Sequence, residues 1–106
     1  MMIIQTRAGF DGALILTPKA ESLDMANAAS FREQYASLIE GSIGPVTVDC
    51  SYLEFIDSSG VGAFLHANKL LPDDRRPIHL TGVGGKVLTL LELMHVHRSF
   101  HILPRE

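Results

Sequence analysis

Hydrophobic positions along this chain follow two rhythms, one of period two and one of period three to four. The segments 2–6 (MIIQT) and 13–17 (ALILT) read as two strands joined by the glycine- and aspartate-bearing turn RAGFDG. In residues 21–41, Phe31, Tyr35, Leu38 and Ile39 fall at i, i+4, i+7 and i+8, the stripe of an amphipathic helix. Asp24 is its expected N-cap and Gly41 its expected C-cap. Residues 45–56 then alternate Val46, Val48 and Cys50 against Thr47 and Asp49, which predicts a strand ending at Phe55-Ile56.

From Ser58 to Leu71 the spacing of Val61, Phe64, Leu65 and Asn68 predicts a second helix, stopped by Pro72. The DDRR run at 73–76 reads as a solvated turn, and 77–83 (PIHLTGV) as a strand. Val87, Leu90, Leu91 and Met94 mark a third helix, and SFHIL a short last strand before Pro104. The order β-β-α-β-α-β-α-β implies crossover connections and an α/β fold. Its sheet is expected to be mixed and mostly parallel, with the first strand antiparallel at or near one side.

Composition narrows the function classes. A chain of 106 residues, without linker, repeat or low-complexity segment, reads as one domain spanning 1–106. A net charge of −3 gives no footprint for nucleic acid or an anionic membrane. No apolar run approaches a membrane span, and the N-terminus lacks the charged and apolar regions of a signal peptide. The single Cys50 excludes an internal disulfide and points to a reducing compartment, so a cytoplasmic location is expected.

Three kinds of site chemistry demand particular residues at fixed spacings. A nucleophile elbow around Ser58 would need glycine at Ile56, and around Ser59 would need glycines at Asp57 and Val61. The S-x-x-K pattern fails as well, since Val61 and Gly62 occupy the lysine positions. Gly85-Lys86 is followed by Val87 rather than Ser or Thr, and Leu80 stands where a phosphate loop needs its first glycine. Gly82, Gly84 and Gly85 therefore read as a tight strand-to-helix turn. His95-x-His97 is the only close histidine pair and lacks the companions of a zinc motif. No enzyme activity, cofactor or metal is expected.

The remaining feature is Asp57-Ser58-Ser59-Gly60, between a strand and a helix. As a bare pattern it is an N-cap. A hydroxyl in a first helical turn nevertheless lies near unpaired N–H groups and the positive end of the helix dipole. A phosphate there would be tolerated by the fold. It would add about −1.5 to −2 charges beside Asp57 and penalise any partner docked on that surface.

The segment VTVDCSYLEFIDSSGVGAFL resembles the central motif of STAS domains, especially those of bacterial anti-sigma factor antagonists. Val61 stands at the usual Leu or Val position of their Asp-Ser-Ser-Gly-Leu-Gly motif, followed by Gly62. LDMANAASFREQY resembles the family's earlier Leu-Asp motif through Leu23 and Asp24, and KVLTLLELMHVHRSFHIL resembles its third helix and following strand.

The resemblance implies a STAS-like fold and a non-enzymatic switch. The unphosphorylated protein would bind an anti-sigma factor with serine kinase activity, and phosphorylation of Ser58 would release it. A PP2C-type phosphatase would reset it. The implied partner-binding residues are Asp24, Asp57, Ser58, Ser59, Gly60 and Gly62. The alternative within the same family is a structural subunit of a lipid-transport ABC system or a stress-signalling complex, with Ser58 unmodified. Two departures stand out: TPKAES replaces the glycine often found before the Leu-Asp motif, and the chain stops at Glu106, without the C-terminal helix many members carry. A less covered sheet face is then expected, with room for a partner or a homodimer.

Overall fold

The computed structural model describes residues 2–105. Five strands form the main sheet: β1 (Ile4–Ala8), β2 (Leu14–Pro18), β4 (Val46–Asp49), β6 (His79–Val83) and β7 (His101–Pro104). Their spatial order is β1-β2-β4-β6-β7. β1 pairs antiparallel with β2, and every other pair in this sheet is parallel. The mixed, mostly parallel sheet with an antiparallel edge strand agrees with the order read from the sequence.

The hydrophobic alternation sorts the two faces. Leu16, Val48, Leu80 and Ile102 lie in register across β2, β4, β6 and β7. The first three are fully buried, and all four join one core with the helices α1 (Ala28–Ile39), α2 (Ser58–Leu70) and α3 (Gly85–Leu93). The neighbouring row, Arg7, Ile15, Thr47, His79 and His101, points to the opposite face, and none of its members is buried. One sheet face is thus open among the described residues.

Aromatic packing fixes the helices. Phe31 stacks on Tyr35 with centroids 5.9 Å apart and meets Phe64 edge-on at 5.8 Å. The Tyr35 hydroxyl donates to the Ala67 carbonyl at 2.8 Å, joining α1 to α2 inside the core. Burial raises the Tyr35 phenol above its ordinary range, so this donor stays protonated.

The structure differs from the sequence expectations in several places. The expected strand at 45–56 is two strands: β4 ends at Asp49, and β5 (Phe55–Ile56) leaves the main sheet to pair in parallel with β3 (Ser22–Leu23). α1 starts at Ala28 with Asn27 as N-cap, not at Asp24. The reason is local. Asp24 folds into an Asx turn, its Oδ1 accepting from Ala26 N at 2.9 Å, which competes with helix formation. At the other end Glu40 is the cap, and Gly41 follows in the left-handed region with φ +80°.

The 73–76 turn is not simply solvated. Arg75 donates to Gly44 O, Ser42 O and Ser42 Oγ at 2.8–2.9 Å, while Arg76 donates to the Asn68, Lys69 and Leu71 carbonyls at the end of α2. In α3, Val87 and Leu91 are buried, but Leu90 is half-buried and Met94 is 39% exposed. The expected four-residue stripe thus exceeds what the core absorbs.

Candidate functional site

Asp57 builds the junction between β5 and α2. Its extended backbone (φ −114°, ψ −173°) turns the chain from strand to helix, and its Oδ1 accepts from Gly60 N at 3.0 Å as a helix cap. Oδ2 accepts from Met25 N at 3.1 Å, which ties the loop after β3 to the helix start. The Asp57 N–H donates to Leu23 O at 3.3 Å. Both carboxylate oxygens and the amide are therefore engaged within the fold.

Gly60 is required by proximity. A Cβ added there would lie 2.2 Å from Leu23 O and 2.6 Å from Ile56 Cγ1. Glycine lets the first turn of α2 rest directly on the backbone of β3. Asp24 lies in the same cluster: its Oδ2 accepts from Ser22 Oγ at 2.9 Å, and its carbonyl accepts from Ala28 N at 2.8 Å. The structure thus gathers Asp24, Asp57, Ser58, Ser59 and Gly60 around one turn. Gly62 lies farther along α2, where an added Cβ would lie 3.2 Å from Arg32 Nη2 on α1.

The two serines differ. Ser58 is exposed and Ser59 half-buried, and among the described residues neither hydroxyl makes a hydrogen bond. Ser58 is thus an accessible hydroxyl at the N-terminus of a 13-residue helix.

An apolar surface that sequence reasoning missed borders this turn. Met25 is 81% exposed, Phe55 53% and Leu93 69%. Between β5 and α3 runs an open groove of about 630 Å³, lined by Phe55, Ile56, Thr89, Leu90 and Leu93, with Lys86 at its side. The available signal was the over-wide stripe of the third helix, with Leu90 and Met94 beyond the two core residues. Phe55 gave none, because a two-residue strand is too short to show which side faces out.

Cys50 is fully buried, and burial, with Asp49 beside it, pushes its thiol up to about 12. Among the described residues, no group of three or more His, Cys, Asp or Glu side chains is placed to hold a metal, and no helix is long and apolar enough to cross a membrane.

Comparison with known proteins adds a family. No curated protein matches the sequence. Among solved structures, an anti-sigma factor antagonist from Mycobacterium paratuberculosis is similar over 97% of this chain and 86% of its own, at 16% identity and TM-score 0.83. The Bacillus cell fate determinant SpoIIAA in its phosphorylated form is similar over 98% and 92%, at 16% identity and TM-score 0.69. The murine anion transporter Slc26a9 shares the fold over 90% of this chain but 16% of its own, at 22% identity and TM-score 0.71. At these identities the likeness establishes the fold. The family model described as "Mlab, STAS domain" matches residues 20–104, which takes in β3 to β7 and the Asp57–Gly60 turn. This chain belongs to the STAS-domain family.

Proposed function

We propose that this protein is a non-enzymatic, phosphorylation-controlled binding switch of the anti-sigma factor antagonist type. Its unmodified surface around Ser58 binds an anti-sigma factor with serine kinase activity, that partner phosphorylates Ser58, and the modified form lets go. A PP2C-type phosphatase reverses the step. Such an exchange takes place in the cytoplasm.

The observation that carries this reading is the exposed Ser58 hydroxyl, without a hydrogen bond among the described residues, beside an apolar surface formed by Met25, Phe55 and Leu93. Burial of that surface supplies affinity, while a phosphate at its edge introduces charge that must be desolvated on docking. The helix N-terminus tolerates the anion, so modification changes binding rather than folding. Asp24, Asp57, Ser59 and Gly60 shape the turn that presents Ser58, and Gly62 lies on the α1 side of the same helix. SpoIIAA, a neighbour in fold, exists in a phosphorylated form.

The test pairs the protein with candidate anti-sigma kinases and ATP, locates phosphate by mass spectrometry, and compares capture by wild type, Ser58→Ala and Ser58→Asp. Phosphate at Ser58 and lost capture with Ser58→Asp are expected. Phosphate found only elsewhere, or unchanged capture, overturns the reading.

One observation favours a second reading. The same fold occurs as a domain of the anion transporter Slc26a9, so a STAS unit can serve a transport protein. Here the groove beside β5 would dock permanently in a lipid-transport ABC system or a stress-signalling complex. Stable association with a transport ATPase, unaffected by Ser58→Glu, would select it.

A further inference from the structure

The open sheet face carries a feature that the docking surface does not use. His79 on β6 and His101 on β7 are direct register partners on parallel strands, with ring centroids 4.8 Å apart and planes inclined at 50°. Among the described residues, neither imidazole makes a hydrogen bond, and both remain at least partly open to solvent. His79 opens β6, at the edge where α2 ends and Asn68 Oδ1 accepts from Ile78 N. Ser58, at the other end of α2, is remote from this pair in the fold.

We propose that His79 and His101 form a two-histidine site for a late divalent transition-metal ion such as Cu²⁺, Ni²⁺ or Zn²⁺. A metal about 2.0–2.1 Å from a ring nitrogen, in line with the ring axis through it, sits about 3.2 Å from the ring centroid. Two rings with centroids 4.8 Å apart then subtend an angle of about 97° at a shared ion. That lies between the octahedral and tetrahedral values, so the ring separation leaves room for one ion shared in cis geometry. Imidazole suits these metals, and affinity for a given site rises toward Cu²⁺ in the late first row.

The surroundings shape the site. Thr47 follows His79 in register on β4, and Asp49 and Thr81 occupy the adjacent row of the same face. The 73–76 turn brings Asp74 and Arg76 to a pocket that His79 also lines. Water completes the coordination, so the ion is exchangeable rather than a structural plug. Partial burial first, and His101 second, hold the His79 imidazole below its ordinary range.

The chain, produced without a polyhistidine tag, is titrated with NiCl₂, CuCl₂ and ZnCl₂ by calorimetry, with histidine ring signals followed by NMR. One equivalent is expected to bind, perturbing His79 and His101 together. His101→Asn and His79→Gln should each lower affinity tenfold or more, while His95→Asn/His97→Asn leaves it unchanged. His101 is exposed, so His101→Asn retains the fold, which circular dichroism checks. No binding at millimolar metal, binding unchanged in His101→Asn, or perturbation confined to His66, His95 and His97 overturns the proposal.

Discussion

Met25 donates its backbone N–H to Asp57 Oδ2 at 3.1 Å, across 32 residues of sequence. The same carboxylate caps α2 through Gly60 N. One side chain thus joins the loop after β3 to the helix that presents Ser58, and replacing it should loosen both. Asp57→Ala is expected to cost about 1–2 kcal/mol in urea unfolding, as for loss of a helix cap. Amide exchange should accelerate at Met25 and Gly60 together. Acceleration at Gly60 alone would mean that the loop holds itself.

Gly60 and Gly85 both lie within the first turns of helices, yet their substitution should act with opposite sign. Alanine ordinarily favours a helix over glycine by about 1 kcal/mol. At Gly85 an added Cβ meets nothing within 4 Å, so Gly85→Ala should be neutral or stabilising. At Gly60 the clash is with the Leu23 backbone, which cannot rotate away. Gly60→Ala should therefore destabilise by about 1–3 kcal/mol, the range of overpacking. Equal midpoints for the two variants would contradict the close approach of β3 and α2.

Ser58 and Phe55 should separate binding from folding. Ser58→Asp places an anion at a helix N-terminus and should leave stability unchanged or raise it by about 0.3–1 kcal/mol. Phe55→Ala removes a half-exposed ring and should cost little stability, but about 2 kcal/mol of partner affinity if the ring anchors the interface. Thermal unfolding and surface binding measured on the same preparations check both. A large drop in melting temperature for either variant would tie the surface to the core instead.

How much of this could be read from the sequence follows from element length. α1, α2 and α3 run 9–13 residues and leave several turns of apolar repeat, and β4 alternates cleanly, as β6 does until Gly82 breaks its rhythm. β3 and β5 have two residues each, too few for any period, so the small second sheet and the groove beside it were invisible. Asp24 was misplaced as a cap because an aspartate bonding its own turn looks the same, in sequence, as one bonding a helix. The open sheet face was foreseen only through the resemblance to STAS domains. The pairing of His79 with His101 depends on register across 22 residues, which composition does not encode.

Alkaline stability should depend on two buried acids. The Cys50 thiol ionises at about 12 in the fold against 9.0 ordinarily, and burial raises the Tyr35 phenol too. Both favour the protonated form, so their contribution is fully present below the ordinary values and shrinks as pH rises toward the folded ones. Urea midpoints should fall from pH 9 upward, and less steeply in Cys50→Ala. The native thiol should also resist alkylation until the chain unfolds. Rapid labelling of the folded protein at pH 8 would contradict the full burial of Cys50.

The internal use of Asp57 has a consequence for signalling contrast. Both of its oxygens already accept backbone N–H groups, so the fold holds this carboxylate, and its negative charge, at a fixed place beside Ser58. The unmodified surface at Ser58 therefore carries one immobile negative charge at its edge. On the proposed reading, a phosphate at Ser58 would multiply a charge whose position is already set, so the contrast would lie in its size and not in any rearrangement of the turn.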